Sequence, residues 1–200
     1  MISPFHYLSS MKNLSLIIFI LALFPGCQPD YTPKPRGYFR IDVPRHAYRA
    51  FDSAYPYAFE YPVYARLSPD TSGLAEPWWI NVVFPEFRAQ VHLSYKLISH
   101  NLSTYLEDSR TLVNKHIPKA TAITQREFLN CGDRVFGLTF AIRGTEAASP
   151  YQFYVTDSVS RFVRGALYFY VPPNNDSLAP VIDFLKEDID HMISTFRWKK

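Results

Sequence analysis

The sequence predicts an α+β fold: a central antiparallel sheet with two amphipathic helices packed on it. Three observations point there. Tyr and Phe, which favour strands, are abundant, at 14 and 16 residues within an aromatic content of 16%. Several runs alternate apolar and polar residues with period two, as in a sheet with one face buried and one wet. Helical spacing of apolar residues recurs in just two stretches, set apart from the strands, which is the layout of an α+β sandwich.

The N-terminal stretch has its own pattern. Lys12 precedes an apolar run from Leu14 to Phe24, interrupted only by Ser15, and Pro25-Gly26-Cys27 follow. A helix over that run rises roughly 16 Å at about 1.5 Å per residue, about half the hydrocarbon core of a bilayer. It is too short to span but suits an export signal, and Pro25-Gly26 leaves an extended segment open to cleavage. The segment resembles a bacterial lipoprotein signal, with Phe24 and Pro25 departing from its commoner residues. That resemblance implies a signal peptide over residues 1–26 and a diacylglycerol on the Cys27 thiol, so that acyl chains (palmitate-type) attach the mature chain to a membrane. A non-lipidated secretory signal and a buried segment with an incidental cysteine are the competing readings. Met1 to Ser10 carries no Lys or Arg, so translation is expected to start at Met11.

Residues 27–36 read as a lipidated tether. Gln28 to Arg36 holds Pro29, Pro33 and Pro35 and no aliphatic residue. In a polyproline conformation it reaches about 28 Å, at roughly 3.1 Å per residue. Residues 37–200 are then one α+β domain. Strands are expected at Tyr38–Val43, Ala58–Tyr61, Trp79–Phe84, Ala89–Leu97, Ala122–Phe128, Val135–Ile142, Tyr151–Thr156 and Phe162–Val171. Ala89–Leu97 alternates most cleanly: Ala89, Val91, Leu93, Tyr95 and Leu97 share one face. Pro56 and Pro62 bracket a short strand and mark it as an edge. The first helix is expected from Leu102 to His116, capped by Asn101 or Ser103 and ended by Pro118. The second is expected from Leu178 to Phe196, capped by Asp176 or Ser177, with Pro180 in its first turn. Val181, Ile182, Leu185, Ile189, Met192, Ile193 and Phe196 form its apolar stripe, with Asp183, Glu187, Asp188 and Asp190 placed off it.

Composition narrows the function. Without residues 1–26 the net charge falls from +3 to about +2, because Lys12 is the one charged residue lost. The remaining Lys and Arg are scattered, unlike the basic face of a nucleic-acid binder. No G-x-S-x-G, H-E-x-x-H, P-loop or G-x-G-x-x-G occurs, and only seven glycines are present, so no catalytic site, cofactor or metal is assigned. No histidine pair is spaced for a metal. With Cys27 acylated, Cys131 has no intrachain partner and is expected to be a buried small hydrophobe. Nearby Asp133 argues against an activated thiol. Asp183, Glu187 and Asp190 read as a solvated helix face, with an acidic patch for a partner or cation as the sharper alternative.

Trp78 and Trp79 form the candidate partner surface. In an extended segment they point to opposite faces, so at least one turns away from the main core. The N-terminal segment covering it is one reading, and a partner anchored on it is the other.

The strand and helix order resembles the PsbP-like fold, an α/β/α sandwich. A second resemblance rests on an ordered set of stretches. These are Pro35-Arg36-Gly37-Tyr38-Phe39-Arg40-Ile41-Asp42-Val43-Pro44 with Tyr48, Tyr57 through Tyr64, Pro77-Trp78-Trp79-Ile80-Asn81, Tyr105 through Arg110, and Phe169 through Leu178. Together they resemble the gliding motility lipoprotein GldD family of Bacteroidetes, over essentially the whole mature chain. The resemblance implies a lipid-anchored cell-envelope protein for gliding and the associated type IX secretion. It would act through protein contacts as an assembly or stabilisation factor beside a GldE-like inner-membrane protein or other motility lipoproteins. It brings no enzymatic activity and carries over only Cys27. Gln28-Pro29-Asp30 lacks a strong acidic run, so a periplasm-facing anchor is expected. The alternative is an envelope lipoprotein binding a glycan or small ligand through exposed aromatics.

Overall fold

Two antiparallel sheets and two α-helices build residues 42–199, the part of the chain that the computed structural model describes. The signal over 1–26, Cys27, the tether over 27–36, the Met11 start and most of the expected strand Tyr38–Val43 lie outside the described residues. In chain order the elements are β1 (Tyr48–Phe51), β2 (Tyr57–Pro62), β3 (Arg66–Pro69), β4 (Ile80–Phe84), β5 (Ala89–Leu97), α1 (Leu102–Asn114), β6 (Ala122–Asn130), β7 (Val135–Arg143), β8 (Tyr151–Thr156), β9 (Arg161–Phe169), α2 (Asn175–Ser194) and β10 (Arg197–Trp198).

The α+β class and the antiparallel pairing are as expected, but one central sheet becomes two. The larger sheet has seven strands in the order β3-β4-β5-β9-β8-β7-β6, and the smaller has the order β1-β2-β10. The strands that build the difference, β1, β3 and β10, span four, four and two residues. Runs that short are defined by their partners rather than by a period. β2 is therefore the middle strand of the small sheet, not the edge that its prolines suggested. Pro56 lies just before it and Pro62 is its last residue, so no interior N–H of the strand is lost.

One long connection sets the topology. β6 to β9 run as successive antiparallel neighbours, and β9 then inserts beside β5 over nine residue pairs, Ala89↔Phe169 to Leu97↔Arg161. The link from β5 to β6 passes through α1. Each face of the large sheet therefore receives a helix. The inner face takes α2 and the small sheet: Val91, Phe153, Val163, Leu167, Leu185, Ile189, Tyr57 and Phe59 share one core. Each large apolar side chain buried there contributes roughly 1.5–3 kcal/mol. On the outer face, Val113 of α1 packs with Phe140, Ile142 and Ala147.

Gly165 belongs to the inner face and lies opposite Phe153. A Cβ at 165 would collide with the Phe153 ring, so glycine is what lets that ring lie flat across β9. The helix ends differ from the expected caps. Asn101 precedes α1 but gives its side-chain oxygen to the Ser99 N–H at 2.8 Å instead. Asn174 precedes α2, and Asp176 takes a hydrogen bond from the Thr145 hydroxyl. Because α2 begins at Asn175, Pro180 lies in its second turn.

Candidate functional site

The tryptophan pair is held by a turn rather than a strand. Trp78 has φ 70°, a left-handed backbone, and β4 begins only at Ile80. The turn is fixed from below: the Tyr57 hydroxyl donates to the Trp78 carbonyl at 2.6 Å, and burial pushes the pKa of Tyr57 up, keeping it a donor. Trp79 turns inward. Its Nε1 donates to the Tyr95 carbonyl at 2.9 Å and its ring packs against the main core. Trp78 turns outward, 44% exposed, with the Tyr55 ring edge-on at 5.6 Å. Beside it opens a cleft of about 290 Å³ lined by Glu76, Pro77, Trp78, Tyr95, Lys96, Leu97 and Tyr105. Lys96 pairs with Glu76 on its rim and lies 5.4 Å from the Trp79 ring centroid. Leu97 adds an exposed apolar side chain. A fixed, half-exposed Trp within a charged rim has the form of an interface anchor.

Asp183 and Glu187 are solvated as expected, but Asp190 and Asp188 are engaged. Asp190 accepts from Arg126 at 2.6 Å and from the Tyr151 hydroxyl at 2.5 Å. Glu187 lies 3.1 Å from His46 Nε2, and Asp183 lies 3.5 Å from Lys186. Asp188, placed off the apolar stripe by the sequence reading, is 1% exposed. It stands seven residues after Val181, three after Leu185 and four before Met192, so helical geometry puts it within the stripe. An acid at that phase was the sequence signal for what surrounds it.

Around Asp188 the first described part of the chain is clamped to α2. His46 Nδ1 lies 2.7 Å from Asp188 Oδ1, the Tyr48 hydroxyl donates to the same oxygen at 3.1 Å, and the Tyr64 hydroxyl donates to Oδ2. Burial and the Asp188 charge push Tyr48 up to about 12, and the same two causes, with the hydrogen bond, raise Tyr64. Both are hydroxyl donors at neutral pH. His46 stacks on Phe184 at 4.4 Å, and Tyr48 stacks on His191 at 3.6 Å. His191 Nε2 in turn lies 2.7 Å from Glu60. These groups are spent on one another, and the cluster fastens residues 46–48 to α2.

Cys131 is exposed, not buried. It sits in the turn between β6 and β7, where Asn130 Oδ1 accepts from the Asp133 N–H and Arg134 adopts φ 52°. A tight turn has no interior in which to bury a side chain. Cys131, Phe128, Leu129, Val135 and Ile193 line a groove of about 520 Å³ against α2, with the Arg126–Asp190 pair at its side. Among the described residues no group of three or more His, Cys, Asp or Glu is placed to hold a metal ion. No described helix is long and apolar enough to cross a membrane.

A protein-family model described as "Gliding motility lipoprotein GldD" matches residues 28–198. No curated protein matches the chain. Among solved structures, the solution structure of cyanobacterial PsbP (CyanoP) from Synechocystis sp. PCC 6803 is similar, with a TM-score of 0.49 and 10% identity, over 80% of this chain and 98% of that one.

Proposed function

The chain belongs to the gliding motility lipoprotein GldD family, and from that premise we propose that it is a lipid-anchored cell-envelope protein that supports gliding motility and the associated type IX secretion through protein contacts. The family match over residues 28–198 is the observation that carries this reading. Diacylglycerol on Cys27 holds the domain at the membrane, facing the periplasm. Its partner is a GldE-like inner-membrane protein or another motility lipoprotein, which it helps to assemble or stabilise. The Trp78 cleft is the surface offered to that partner, because Trp78 is exposed while its backbone is fixed and its rim is charged. No step of this role requires catalysis.

Crosslinking in cells tests it. A photoreactive residue in place of Trp78, in the Cys27-anchored chain, is expected to capture an inner-membrane or motility lipoprotein partner. The same probe in place of exposed Val159, at the turn between β8 and β9, is expected to capture none. Equal capture from both positions would remove the Trp78 surface from the proposal. A Cys27→Ser chain is expected to leave the membrane fraction. Glycan binding remains the alternative for the same cleft: it predicts quenching of Trp fluorescence by envelope glycans, and the protein-contact reading predicts none.

A further inference from the structure

The outer face of the large sheet has two halves. On β7 and β8 it is apolar and covered by α1. Across β4, β5, β9 and β8 it carries a polar row whose members the strand register brings together. Asn81, His92, Ala166 and Gln152 are successive cross-strand partners. Arg164 and Tyr168 flank Ala166 on β9 and point to the same side. Arg164 Nη2 donates to Gln152 Oε1 at 2.5 Å, and Tyr168 is the other group acting on its charge. The guanidinium therefore reaches toward the Gln152–Ala166 pair.

Both of those groups are neutral. Among the described residues no carboxylate lies within ion-pair distance of Arg164. A guanidinium drawn out of water ordinarily meets an anion. The other charged groups around the row do not supply one. Asp70 acts on His92, while Arg110 of α1 and Glu127 of β6 act on Tyr154, the cross-strand neighbour of Arg164. Burial, with the Arg164 charge adding to it, lowers the pKa of both His92 and His116, against a partial offset from Asp70 at His92. Both imidazoles are neutral at pH 7.

Hydrogen bonds fix what these groups present. The Tyr170 hydroxyl donates to Gln90 Oε1, which turns the Gln90 amide nitrogen toward His92 Nε2. An amide nitrogen only donates, so His92 Nε2 accepts and the ring proton stays on Nδ1. That N–H has no partner among the described residues. Gln152 is 1% exposed, and its Nε2 is unpartnered too. Asn81 Oδ1, at the far end of the row, is the one buried acceptor there left unpaired.

We propose that Arg164, Gln152 and His92 form a binding site for a phosphate group on the outer face of the sheet. Their donors come from three strands, and several N–H groups match the several acceptor oxygens of a tetrahedral oxyanion. The phosphate is either a free anion or the headgroup of an anionic phospholipid. The site is independent of the Trp78 surface.

The test uses the full-length protein in detergent, with its histidine ring resonances assigned. Inorganic phosphate added at constant pH and ionic strength is expected to shift the His92 signal saturably and leave His191, on α2, in place. A parallel arm adds phosphatidylglycerol in bicelles against phosphatidylcholine alone. A response to inorganic phosphate identifies a free anion, and a response to phosphatidylglycerol alone identifies a headgroup. Arg164→Met is expected to abolish the shift and Arg164→Lys to weaken binding about tenfold. If Arg164→Met does not fold, Gln152→Leu serves in its place. No shift of His92 in either arm, or the same shift in Arg164→Met or Gln152→Leu, overturns the proposal.

Discussion

Asp188 shows how much one residue can organise. It is a buried carboxylate inside an apolar stripe, met by His46, Tyr48 and Tyr64. Removing it leaves two half-buried hydroxyls and an imidazole without their acceptor. Asp188→Ala is therefore expected to cost about 3 kcal/mol in urea unfolding, whereas Asp183→Ala on the exposed side should stay within about 0.5 kcal/mol. Equal effects would place the clamp among incidental contacts. Asp157 makes a second residue-scale prediction. Burial alone would raise its pKa, but hydrogen bonds from Ser160 and from the N–H groups of Val159 and Arg161 bring it down to about 2, from an ordinary 3.8. A carboxyl whose folded pKa is depressed stabilises above its unfolded pKa, and that contribution is lost as pH falls through the folded one. The stability gap between the wild type and Asp157→Asn should thus be constant above about pH 5 and shrink from about pH 4 to pH 2. Unfolding curves across that range would reveal it, and a gap that widens on acidification would contradict the assignment.

At the scale of elements, the turn between β6 and β7 gives a direct check. Cys131 is exposed there, so a maleimide should label it in the native protein without prior unfolding. Labelling that needs denaturant would return it to the buried position expected from sequence. The long elements were legible because their patterns repeat. β5 keeps its alternation over nine residues, and α2 keeps its stripe from Val181 to Ile193. β1, β3 and β10 were not, since strands of two to four residues exist only through partners distant in sequence. The same reason moved β2 from an edge to the middle of its sheet. That one of Trp78 and Trp79 turns outward was legible, but that it is Trp78 was not, because the turn that aims it depends on Tyr57, twenty-one residues earlier. Asp188 could have been found from helical phase alone. The polar row of Asn81, His92 and Gln152 could not, because it appears only once β4, β5, β9 and β8 are in register.

For the whole molecule, the parts divide the labour. The sheet is a rigid platform closed on its inner face by α2 and the small sheet. The clamp at His46 and Tyr48 fastens the start of the described chain to α2. The Trp78 cleft stands on the turn leading into β4, a fixed surface rather than a loose loop. In the proposed role the domain presents that surface to a partner at a membrane. The measurement that bears most directly on that role is colony spreading by a strain lacking this protein and complemented with either the wild-type chain or Trp78→Ala. The deletion is expected to abolish spreading, the wild type to restore it, and Trp78→Ala to fail to do so while reaching the membrane fraction at normal abundance. Full spreading of the deletion strain, or full rescue by Trp78→Ala, would contradict that role.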